Sequence, residues 1–98
     1  MGAKDYAGAI AKYTEAIGLD PTNVVYLSNR AAAYSSAQKH TQAVEDAEKA
    51  IKLNPEFSRA YSRLGLAQYA LGNPKEAMEA YKKGLEAVSY THLTLPTM

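Results

Sequence analysis

The chain has 98 residues, a formal net charge of +1 and no cysteine, with 47% hydrophobic residues. That length suits one domain; the near-zero charge argues against electrostatic binding to nucleic acid or membrane, and the missing cysteines exclude disulfides and thiolate metal sites. No apolar run approaches the roughly 18 residues that span a bilayer, and "MGAKDYAGAI" has neither a signal-type apolar core nor Ser or Thr at Tyr6, so no membrane insertion and a cytoplasmic location are expected.

The first predicted element is a helix over about 6–18. Ala9, Ile10, Tyr13, Ala16 and Ile17 recur at i, i+3, i+4 and i+7, the spacing of an amphipathic helix face. "LDPTN" ends it, because Pro21 disfavours helical geometry in Asp20; the proline then opens the segment leading to a second helix over about 24–36. A third helix, about 41–52, repeats the apolar face with Ala43, Val44, Ala47, Ala50 and Ile51 and is stopped in the same way by "LNPEF". A fourth is predicted over about 57–70. "LGNPKEA" then supplies Gly72 to end it, and Asn73 and Pro74 to start a fifth over about 74–87. Lys12, Glu15, Glu45, Glu48, Lys49 and Lys52 are read as a solvated face, and Asp46 is grouped with its acidic neighbours there.

These elements recur with a period of 34. Pro21 and Pro55 are 34 apart; Ala9, Ala43 and Ala77 share that spacing, as do Tyr13, Ala47 and Tyr81, and Ile17, Ile51 and Leu85. A register of small and apolar positions kept across three segments marks a stacked array of one supersecondary unit. Short connections make consecutive helices antiparallel. The expected fold class is all-α: about five helices in a small right-handed solenoid, with no strand.

Tyr61, Leu64, Gly65, Ala77 and Tyr81 in the last unit, and Leu27, Ala31, Tyr34, Ala43, Ala50 and Pro55 in the middle one, resemble the tetratricopeptide repeat, a helix-turn-helix unit of about the same period. "YTEAIGLDPTNVVYLSNRAAAY" is similar to the small glutamine-rich tetratricopeptide co-chaperones. The departures are Arg30 where leucine is usual, Ala47 where an aromatic is usual, and Gln68 where tyrosine is usual; Arg30 is expected to lay its stem on the core and project its head. The resemblance divides the chain into residues 1–23, the end of a first repeat, 24–57, a second, and 58–87, most of a third. Residues 88–98, "VSYTHLTLPTM", depart from the pattern and are expected to be an unpacked, adapter- or frame-derived tail.

The resemblance implies a function. In one subclass the first helix of each repeat lines a groove whose carboxylate clamp holds the C-terminal Glu-Glu-Val-Asp peptide of heat-shock chaperones. Three of the five clamp positions fall on Asn29, Arg59 and Arg63. Guanidinium forks suit a terminal aspartate, which offers two carboxylates. The other two positions would precede Met1, so the clamp is expected to be partial and its affinity reduced by roughly 10² to 10⁴. The alternative is a general scaffold that binds an internal helical peptide, or a second copy, through Val25, Ala32 and Leu66. The first helix is expected to expose an apolar face able to support a homodimer. No cofactor is implied: His40 and His92 make no metal set, no phosphate loop or nucleophile elbow is present, and the expectation is a binding protein rather than an enzyme.

Overall fold

The computed structural model describes residues 5–93, the last six as helical backbone. Five helices follow one another: α1 Tyr6–Leu19, α2 Val24–Ser36, α3 His40–Leu53, α4 Ser58–Ala70 and α5 Pro74–Leu93. There is no strand among the described residues. Each helix packs on the next, and α2 also touches α4. The helices lie where the apolar period places them, to within a residue, except for the end of α5. The pattern predicts a stop near Ala87, yet the helix continues to Leu93, because the sequence has neither glycine nor proline between Leu85 and Pro96 to stop it. Residues 94–98 of the expected tail lie outside the described residues.

The connections work as the punctuation residues dictate. Asp20 and Asn54, each before a proline, leave the helix with φ of −144° and −147°. Asn23 caps α2, its side-chain oxygen accepting from the Val25 and Tyr26 amides, while its own amide donates to Asp20 Oδ2 at 3.1 Å. The tight turns inside the repeats need one left-handed residue. Gly72 takes φ +85° there, and its equivalent one repeat earlier, Gln38, takes φ +67° with the same two backbone bonds around it.

The core is built largely from alanine. Ala31, Ala43, Ala47 and Ala67 form one cluster, flanked by Tyr34, Val44 and Leu64. Leu27, Ala50 and Ala60 form another, against Ile17, Val24, Ile51 and Phe57. Small residues let the helices approach closely and leave little for any one contact to contribute. The α4–α5 contact is different. A Cβ on Gly65 would lie 2.7 Å from the Tyr81 ring, and one on Gly84 would lie 2.9 Å from Tyr61 Cβ, so each tyrosine seats over a glycine of the facing helix. Tyr61 is further held by its hydroxyl, which donates to the Pro55 carbonyl at 2.8 Å.

The two glycines should respond differently to alanine. Either change gains up to about 1 kcal/mol of helix propensity. At Gly84 the obstruction is a Cβ fixed to the α4 backbone, so the overpacking cost of about 1–3 kcal/mol wins and Gly84→Ala lowers the melting temperature. At Gly65 the obstruction is the ring of Tyr81, which is 40% exposed and able to swing outward, so Gly65→Ala should be nearly neutral. Thermal unfolding followed by circular dichroism separates the two.

Candidate functional site

Residues i, i+4 and i+7 of a helix share one face. On α2 that set is Val25, Asn29 and Ala32; on α4 it is Arg59, Arg63 and Leu66, each one repeat after its counterpart. The core side of the same helices is taken by Leu27, Ala31, Ala60 and Ala67, all fully buried. Because α2 and α4 touch each other, the two triplets belong to adjacent helices. Val25 and Leu66 are exposed apolar residues, Arg59 is exposed, and Asn29, Ala32 and Arg63 are half-buried.

The polar members of this face are unengaged. Among the described residues, the side chains of Asn29, Arg59 and Arg63 make no hydrogen bond and no ion pair. Arg63 Nε stands out, since it is buried and still has no partner. A guanidinium N–H withdrawn from water without an acceptor is costly. Two hollows among the described residues lie elsewhere. One of about 280 Å³ involves Glu48, Ile51, Tyr61 and Gln68, and one of about 270 Å³ lies between Ser58, Ser62, Tyr81 and Leu85; neither includes Asn29, Arg59 or Arg63. Among the described residues, no group of three or more histidine or acidic side chains could hold a metal ion, and no helix is long and apolar enough to cross a membrane.

Asp46 corrects the sequence reading. It is not on a solvated face: its side chain is 7% exposed and receives a two-pronged bond from Arg30, Nε to Oδ2 at 2.6 Å and Nη2 to Oδ1 at 2.7 Å. Arg30 does not project its head into solvent either. Its Nη1 donates to Thr14 Oγ1 at 3.0 Å, and the guanidinium lies 5.6 Å from the centre of the Tyr34 ring. One side chain thereby joins α1, α2 and α3. Donating its hydrogen bonds to Asp46 holds the Arg30 guanidinium above its ordinary pKa, outweighing the opposing effect of burial. The signal for this pair was present in the sequence as a double departure from the repeat: in the next unit, Leu64 takes the place of Arg30 and Ala80 that of Asp46.

A family model described as tetratricopeptide repeat matches residues 28–90. Small glutamine-rich tetratricopeptide repeat-containing protein 2 of Saccharomyces cerevisiae is 59% identical over 86 residues, covering 88% of this chain and 25% of that protein. The chain thus spans about a quarter of the length of that curated relative. The crystal structure of the Sgt2 tetratricopeptide domain from Aspergillus fumigatus superimposes with a TM-score of 0.86 at 51% identity, over 88% of this chain and 57% of that one. The first tetratricopeptide domain of Spaghetti (RPAP3), bound to the HSP90 peptide SRMEEVD, superimposes with a TM-score of 0.81 at 40% identity, over 84% of this chain and 65% of that one.

Proposed function

This chain belongs to the tetratricopeptide repeat family, and on that premise we propose that its α2–α4 face is a co-chaperone groove that captures the acidic C-terminal peptide of a heat-shock chaperone. The observation that carries the reading is the buried, partnerless Nε of Arg63, on a face where Arg59 and Asn29 are also unengaged. A terminal aspartate brings a main-chain and a side-chain carboxylate. Two guanidinium groups four positions apart suit that pair, and Asn29 offers its amide from α2, which packs beside α4. Val25, Ala32 and Leu66 line the same face as an apolar floor for the residues that precede the chain end. The solved relative bound to SRMEEVD supports this class of ligand. The work is binding rather than catalysis, and on the same reading it takes place in the cytoplasm.

The test is a titration with two peptides ending in Glu-Glu-Val-Asp, one with a free carboxylate and one amidated. Losing one charge-assisted interaction should weaken the amide by about tenfold or more, and raising salt should weaken the free acid more than the amide. The second reading is a scaffold that binds through apolar positions or self-associates through α1, none of whose 14 residues is buried. It requires both peptides to bind alike.

A further inference from the structure

The two complete helix pairs of this chain solve the same packing problem with different residues. In the α4–α5 pair, Tyr61 over Gly84 and Tyr81 over Gly65 interlock large with absent side chains, which sets both the rotation and the sliding of one helix on the other. The equivalent positions in the α2–α3 pair, one repeat earlier, are Leu27 with Ala50 and Ala47 with Ala31. Those four residues are wholly buried, yet three are alanines, so they define an interhelix distance far better than a register. The two-pronged Arg30–Asp46 bond falls in this pair, at positions that α4 and α5 fill with Leu64 and Ala80. Two parallel bonds between planar groups tolerate little rotation, and the third nitrogen on Thr14 ties the same helix to α1.

Arg30 directly follows Asn29 on α2. We propose that the Arg30–Asp46 pair is a positioning device of the binding groove: it fixes the rotation and register of α2, and so aims Asn29 from α2 toward the face shared with Arg63. The pair contributes no charge to the ligand, since its own charges are spent on each other; it acts on the peptide only through the placement of Asn29 and its neighbours. This inference rests on the clamp reading of the groove, and its test is arranged to separate the two.

The informative variant is R30L/D46A, which installs the residues this chain already carries at the equivalent positions of its last repeat. Replacing a buried ion pair by apolar groups is often neutral for folding. We expect an unchanged circular dichroism spectrum and melting temperature, with about tenfold weaker binding of the free-carboxylate peptide at a temperature where both proteins are fully folded. A second readout needs no peptide. The chain has no cysteine, so a nitroxide on Ser62→Cys, an exposed α4 position, reports on α2 through the broadening of the Asn29 side-chain amide signals, and R30L/D46A should change that broadening. R30K keeps the charge and loses the fork, and should weaken binding almost as much. Full affinity with unchanged broadening in R30L/D46A, or full affinity in R30K, overturns the proposal. If the unaltered chain fails to distinguish free from amidated peptide, the clamp reading falls, while the broadening still decides whether the pair sets α2.

Discussion

Asp46→Ala is expected to destabilise the protein by about 3 kcal/mol, the largest single effect on folding foreseen from this structure. The change removes a side chain that is 7% exposed and leaves behind a guanidinium that is 15% exposed and has lost two of its three hydrogen bonds. Arg30 cannot discharge to escape the penalty, since arginine stays protonated at any ordinary pH. It must swing out, abandoning Thr14 and Tyr34, or remain buried with an unmatched charge. The loss should therefore greatly exceed that of R30L/D46A, in which neither charge is left behind. Denaturant unfolding of the two variants measures the contrast, and an Asp46→Ala protein as stable as the double variant would refute it. The sign of the pH dependence follows from the raised Arg30 pKa: the pair's contribution through Arg30 is complete below the ordinary arginine range and is lost only as pH climbs through the higher folded value. Arg30 thus adds no slope to stability across the physiological range.

Arg63→Ala should weaken capture of a free-carboxylate Glu-Glu-Val-Asp peptide by about 10- to 100-fold while leaving folding nearly intact. On the proposed reading, the change would remove a charge-assisted, two-pronged contact on the partly buried side of this face, where water competes least. No partner inside the protein is orphaned, because Arg63 Nε has none; removing a buried unsatisfied donor costs the fold little and can even stabilise it. Lys82→Ala removes the same charge from an exposed position on α5 and serves as the control. Arg59→Ala should fall between the two, its guanidinium being more exposed and its contact more screened. Calorimetric titration of the three variants ranks them, and equal affinities for Arg63→Ala and Lys82→Ala would remove the clamp from the account.

Local chemistry was enough for the helices, all but the last of their stops, and their stacking. The period of Ala9, Ala43 and Ala77, the prolines at 21 and 55 and the glycine at 72 act on their own backbone or on the next helix, so they could be read without knowing what lies across the fold. The shared face of Asn29 and Arg63 was legible for the same reason: the two occupy one register position in successive repeats, and the repeat maps that position onto adjacent helices. The far end of α5 was misread because the repeat pattern ends before the helix does, and a helix stops at a breaker, not at the end of a motif.

Tertiary structure decided which charges are paired and which are not. Within α3, Asp46 shares the face of Ala43, Ala47 and Ala50 while Glu45 and Glu48 lie opposite, yet the helix by itself names no partner for it, and all three read as solvated acids. Only the arrival of Arg30 from α2, sixteen positions away in the chain, makes Asp46 a buried partner. It also decided which arginines are spent and which are free: Arg30 is consumed by the core, whereas Arg63 Nε is buried beside no acceptor. Composition counts charges, but whether a charge is neutralised depends on distances across the chain, and those exist only once the helices have packed.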